Sequence, residues 1–219
     1  MSTARVKREA IAHYAVMAKD PVANKTIPAP QHKVCFYGSS TFTYWKNIRN
    51  DFQRFQLFNA AFGGSTTSDL LMHIQPLVTQ YDPTIVVYHC GANDICQGKS
   101  PTQALLGFTT FVHAVKQTHA HMKIIYVCPL DAPLHVFRRT SIYVDELCGL
   151  AMDYCHAHRS SNIYGVDPNV KNSVADLTDK KYYLHDGLHL TIQGHEKLAM
   201  LIMPVLQAVA RDHARVAKN

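Results

Sequence analysis

Short runs of consecutive apolar residues alternate along this chain with longer stretches in which apolar positions recur every three or four residues. The first kind of run predicts buried strands and the second amphipathic helices, and their alternation is the pattern of βαβ units stacked into a parallel sheet. The strand runs are Val34 to Tyr37, Gln56 to Asn59, Thr84 to Cys90, Lys123 to Cys128 and Asn162 to Val166. Among the helical stretches, Pro101 to His119 is the clearest, with Leu105, Phe108, Val112 and Val115 on one face and Ser100 placed as an N-cap before an N1 proline. Tyr143 to His156 sets Tyr143, Leu147, Leu150 and Tyr154 on one face, and Gln193 to Ala214 reads as a last helix that Pro204 should bend. Ser2 to Ala18 reads as an amphipathic leading helix, followed by the proline-bearing linker DPVANKTIPAPQ. This divides the chain into residues 1–32, a helix and linker packing on the body, and a body of residues 33–219.

Composition narrows the class. Hydrophobic residues make up 47% of the 219 positions and charged residues 17%, enough apolar side chain for a sizeable core and the wrong profile for a disordered chain. A net charge of +6 raises the question of nucleic acid, but the Lys and Arg residues are spread along the chain, and phosphate binding requires a basic surface rather than a basic total. The opening MSTARVKREAIAHYAV has charged residues breaking every apolar stretch, so it lacks a signal-peptide core. No run reaches the ~18 apolar residues of a membrane span, and the expectation is a cytoplasmic protein. Cys35, Cys90 and Cys128 fall in strand runs, Cys148 and Cys155 in a helix and Cys96 in a loop, a distribution that suits small buried thiols better than a disulfide framework.

In an open parallel sheet, ligands bind beyond the carboxyl ends of the strands. Four segments at such positions carry chemistry. After the first strand comes Gly38-Ser39-Ser40-Thr41, where a serine at a helix start has backbone N–H groups aimed at developing negative charge, although the same serine also suits an ordinary N-cap. After the second comes NAAFGGSTT, whose Gly63-Gly64 pair permits positive φ or close backbone approach; it matches neither a P-loop nor a dinucleotide fingerprint. After the third comes Gly91-Ala92-Asn93-Asp94, where the Asn93 amide can donate to an oxyanion and Asp94 can cap a turn. Ahead of the last helix, His185-Asp186-Gly187-Leu188-His189 puts a carboxylate three residues before an imidazole, a spacing that can fix the imidazole tautomer.

The order and wording of these four blocks resemble the SGNH (GDSL-like) hydrolase family over about Val34 to Ala199. The resemblance implies a three-layer α/β/α sandwich with a five-stranded parallel sheet in the flavodoxin-like order 2-1-3-4-5. It also implies a serine esterase with Ser40 as nucleophile and His189 as general base oriented by Asp186. The oxyanion hole is then formed by the Ser40 and Gly64 N–H groups and the Asn93 side chain. Such an enzyme acts on a small-molecule ester and needs no metal or organic cofactor. Two departures stand out: the usual GDS reads Gly38-Ser39-Ser40, and Ala61 stands where a typical relative has glycine. Both bear on substrate fit rather than on the catalytic positions.

Two other readings compete. Fourteen histidines, densest at His185, His189 and His195, raise a metal hydrolase, but no HExxH or paired-cysteine spacing accompanies them. A catalytically silent binding module on the same fold is the other, against which stands the fact that every catalytic position holds the right residue type. Substrate-side candidates are Ser39, beside Ser40, and Arg138 and Arg139 in PLDAPLHVFRRT, a segment that borders the expected pocket; the two arginines fit either attraction of an anionic ester or a plain solvated helix start, and the second is the simpler reading.

Overall fold

Each predicted strand run contains a strand in the computed structural model, which describes residues 32–170 and 176–216. They are β1 (Lys33–Gly38), β2 (Gln56–Asn59), β3 (Ile85–His89), β4 (Lys123–Val127) and β5 (Ile163–Val166). All neighbours pair in parallel, in the order β2-β1-β3-β4-β5. The expected leading helix and its linker lie outside the described residues.

β3 and β4 are buried at every position, which is why their sequence is apolar without alternation: both faces are covered by helices. Successive side chains still go to opposite faces. Cys35, Tyr37, Val86, Tyr88, Ile124 and Tyr126 enter one core, and Val34, Phe36, Ile85, Val87, Ile125 and Val127 the other.

The helices that matter for the site are α1 (Ser40–Thr43), α2 (Thr67–Met72), α3 (Ala92–Cys96), α4 (Pro101–Thr118), α5 (Pro133–Phe137), α6 (Ser141–Ala157) and α7 (Ile192–Val216). α4 and α6 cover the first core, while α7 contributes Leu198, Ile202, Leu206 and Val209 to the second. α4 begins as its sequence predicts: Ser100 Oγ accepts from Gln103 N, and the Gln103 side chain accepts from Ser100 N in return. α7 continues through Pro204 as one helix.

The buried face of α6 differs from the predicted one. Val144, Leu147, Cys148, Ala151 and Cys155 are buried, whereas Tyr143 is 49% exposed. The helix lies close on β5, where a Cβ on Gly165 would collide with Met152 Sδ, and the tyrosine stripe sits at the margin. Cys96, expected in a loop, ends the short helix α3. No helix among the described residues is long and apolar enough to cross a membrane.

Candidate active site

The turn after β1 is forced by crowding. A Cβ on Gly38 would collide with the His89 carbonyl oxygen, so only glycine lets β1 and β3 end side by side here. Ser39 N then donates to His89 O at 3.1 Å, and Ser39 O accepts from Phe42 N and Thr43 N, starting α1. Ser39 is therefore a buried N-cap, and Ser40, partly exposed, is the first helical residue.

Three side chains fix α1 from outside. Asn59 Nδ2 donates to Phe42 O at 2.7 Å, and His195 Nε2 donates to Thr41 O at 2.9 Å across the whole domain. His89 sits between Thr41 Oγ1 at 3.0 Å and the Val127 carbonyl at 3.1 Å. A carbonyl only accepts, so Nδ1 carries the proton and Nε2 accepts from the Thr41 hydroxyl. Burial pushes the His89 ring down to about 4, against the opposing effect of the backbone bonds at Val127 and Cys128. Burial likewise lowers His195, opposed by its bonds to Thr41 and Thr191.

The glycine segment after β2 lies against Ser40. A Cβ placed on Gly63 would be 3.9 Å from Ser40 Cβ and 3.7 Å from the Tyr44 hydroxyl. Gly64 has φ +76°, a left-handed conformation that glycine adopts without strain. Ser65 anchors this segment: its hydroxyl donates to Gly38 O at 3.1 Å, and its carbonyl accepts from Asn93 Nδ2 at 2.9 Å. One Asn93 amide proton is thus used for positioning and the other is available for an oxyanion. Asp94 does more than cap a turn. Fully buried, it accepts from Thr67 N at 2.9 Å and Thr67 Oγ1 at 2.8 Å, and pairs with Lys99 at 2.8 Å, tying α2 to α3.

Asp186 and His189 meet as their spacing predicts. Asp186 Oδ1 accepts from Leu188 N at 2.9 Å and His189 N at 3.0 Å, and Oδ2 accepts from His189 Nδ1 at 2.5 Å. The bond puts the proton on Nδ1 and leaves the Nε2 lone pair free to act as a base. Partial burial raises the Asp186 carboxyl, but the bonds from the backbone and ring of His189 and from Leu188 N outweigh it and bring it down to about 2. Tyr44 joins this loop to α1: its N–H donates to Ser40 O at 2.9 Å, and its ring meets the His189 ring edge-on at 4.9 Å. A cavity of about 870 Å³ opens beside it, lined by Tyr44, Trp45, Asp186, His189, Leu190 and Ile192 among others.

Other expectations separate from this centre. Arg138 and Arg139 are exposed at the end of α5, and neither lines the cavity. α5 itself touches the loop of Asp186 and His189, Leu134 N donating to Gly187 O at 2.9 Å. Two of the three histidines of the metal reading are employed elsewhere, His189 on Asp186 and His195 on Thr41, and the third, His185, is exposed. Among the described residues, the potential metal-ligand atoms that cluster are those of Cys128, Cys148 and Asp167, within 4.8 Å of one another. Both thiols there donate to carbonyls, Cys128 to Cys148 O and Cys148 to Pro129 O, and hydrogen bonding with Cys148 together with burial holds the Cys128 thiol well above its ordinary value.

Sequence reasoning did not anticipate His89, Asn59 or Tyr44. The available signal for His89 was a titratable side chain closing an otherwise apolar strand, a position that burial makes expensive unless the ring is bonded.

A parallel α/β/α sandwich carrying a serine at the first strand-to-helix turn and an Asp–His pair before the last helix defines a serine hydrolase of the esterase class. Residues 35–197 match the GDSL-like Lipase/Acylhydrolase family, and the chain belongs to that family, whose members hydrolyse ester bonds. Solved structures agree on the fold. A proposed acylhydrolase from Bacteroides fragilis is similar with a TM-score of 0.72 at 19% identity, covering 96% of this chain and 99% of that one. A GDSL-like lipase from Bacteroides thetaiotaomicron gives 0.68 at 19% identity over 96% and 100% of the two chains. A mutant form of an acetyl-xylooligosaccharide esterase from Geobacillus gives 0.65 at 16% identity over 82% and 95%. Among curated proteins, none matches the sequence significantly.

Proposed function

We propose that this protein is a cytoplasmic serine esterase that cleaves carboxylic esters of short acyl groups through an acyl-enzyme intermediate. The observation that carries the reading is the Asp186–His189 bond of 2.5 Å on a loop that Tyr44 links to the Ser40 helix. Ser40 Oγ attacks the ester carbonyl as His189 Nε2 takes its proton. The oxyanion is held by Ser40 N–H, Gly64 N–H and the free amide proton of Asn93. Collapse breaks the bond to the alcohol, which leaves with the proton from His189. Water then attacks the acyl-enzyme, giving its proton to His189, and the second collapse returns that proton to Ser40 and frees the acid. No step requires a metal or organic cofactor. Ser39 acts through its backbone, whose N–H and carbonyl close the turn before Ser40, and Arg138 and Arg139 act at a distance, drawing anionic esters toward the site.

The test is hydrolysis of p-nitrophenyl acetate and butyrate by the wild-type protein and by Ser40→Ala, together with mass-spectrometric mapping of a fluorophosphonate label. Turnover abolished in the variant and label on Ser40 are expected. Turnover retained by Ser40→Ala, or label on another residue, excludes Ser40 as the nucleophile.

A further inference from the structure

We propose that the cavity beside His189 receives the leaving alcohol of the ester, and that this alcohol is bulky and apolar. The inference rests on the Ser40–His189 mechanism. In that mechanism the base returns its proton to the alcohol oxygen, so the alcohol lies against the imidazole rather than in the oxyanion hole. The cavity has that placement: His189 and Asp186 line it, whereas Ser40, Gly64 and Asn93 do not. Tyr44 is the wall shared with the reacting centre, its ring on His189 and its hydroxyl near the point that a Gly63 Cβ would share with Ser40 Cβ.

Size and lining define the alcohol. About 870 Å³ is in the range of pockets that enclose whole small molecules, far more than ethanol fills. Trp45 and Leu190 form buried parts of the wall, and Leu184 and Ile192, 50% and 55% exposed, stand at the mouth. Large apolar side chains left in water gain from being covered by an apolar ligand.

Trp45 is the single tryptophan of the chain and lines the cavity, with its Nε1 donating to Asp51 Oδ2 at 2.6 Å, so intrinsic fluorescence reports occupancy directly. Titration of the Ser40→Ala protein with 2-cyclohexylethanol is expected to give a saturable emission change, and ethanol over the same range none. Ile192→Asp should weaken that binding by about tenfold or more, as expected for a charge set into an apolar contact. Ile192 opens α7, where an acidic side chain suits the helix N-terminus, so the variant should fold; Leu184→Ser, at an exposed site, is the second variant. Wild-type kcat/KM should favour 2-cyclohexylethyl acetate over ethyl acetate by about tenfold or more, the two alcohols having similar leaving ability. Equal kcat/KM for the two esters, or alcohol binding untouched by both variants, overturns the alcohol assignment and leaves the esterase reading intact. Saturable alcohol binding with no turnover of any ester overturns the esterase reading instead.

Discussion

Asp186 performs two tasks with one carboxylate, closing its own turn through Oδ1 and holding the His189 ring, the proposed base, through Oδ2. Asp186→Asn preserves the size and one acceptor but offers an amide where the imidazole proton needs an oxyanion, favouring the wrong tautomer. We expect kcat to fall on the order of 10⁴-fold, the scale of that substitution in serine proteases, with the melting curve little changed. Asn93 is likewise shared between Ser65 O and the proposed oxyanion. Asn93→Ala should lower kcat on the order of 10²–10³-fold with KM nearly constant, because the lost donor acts on charge that exists only in the transition state. Steady-state kinetics on p-nitrophenyl acetate measures both, and near-wild-type kcat in either variant would remove that residue from the mechanism. The Asp186–His189 bond and the strand-end positions of Ser40 and Asn93 were legible in sequence because they depend on short spacings and on where strands stop. Tyr44 and Asn59 were not, since each acts on a partner brought close only by folding.

At the scale of elements, three tyrosines stand in register across the sheet, Tyr37 opposite Tyr88 and Tyr88 opposite Tyr126. Tyr37 donates to Leu70 O at 2.6 Å and Tyr126 to Cys90 O at 3.0 Å, while the buried Tyr88 hydroxyl has no partner among the described residues. Removing a satisfied buried hydroxyl costs about 1 kcal/mol, whereas removing an unsatisfied one relieves a desolvation penalty. Urea unfolding should therefore show Tyr37→Phe and Tyr126→Phe destabilised by about that amount and Tyr88→Phe unchanged or stabilised. A loss for Tyr88→Phe equal to the others would mean that its hydroxyl is bonded. The clamp between α2 and α3 is a stronger case. Asp94→Ala leaves the buried N–H and hydroxyl of Thr67 unpaired and reduces Lys99 to its bond with Ser68 Oγ, and should destabilise by about 3 kcal/mol, measured in the same way. The helical periodicity predicted where α4 and α6 lie, yet it misassigned the inward stripe of α6. Periodicity counts Tyr143 and Tyr154 as inward for their apolar rings, whereas tyrosine also carries a hydroxyl that water satisfies, and Cys and Ala are the residue types more often fully buried.

For the molecule as a whole, buried neutral imidazoles make stability depend on acidity. His89 stays neutral down to about pH 4 in the folded protein, compared with an ordinary value of 6.5. As pH falls between those values the unfolded chain binds a proton that the folded one refuses. The contribution is complete above about pH 6.5 and is lost toward pH 4, by about 3 kcal/mol in all. His195, also lowered, acts in the same direction. Urea midpoints should drop over this window, and His89→Asn, which can keep the donor to Val127, should flatten the drop; an unchanged slope would mean that His89 titrates normally. By itself the sequence determined the five strands, the long helices and the Asp186–His189 pair, because apolar periodicity and contacts three residues apart are local quantities. Tertiary structure alone decided that His195 would hold the Thr41 carbonyl from a position 154 residues away. It also decided that His89 would be sealed into the core and that Tyr44 would meet His189 beside an apolar cavity. Those relations depend on which strand ends lie side by side, and a parallel sheet sets that through crossovers whose spatial order no short stretch of sequence records.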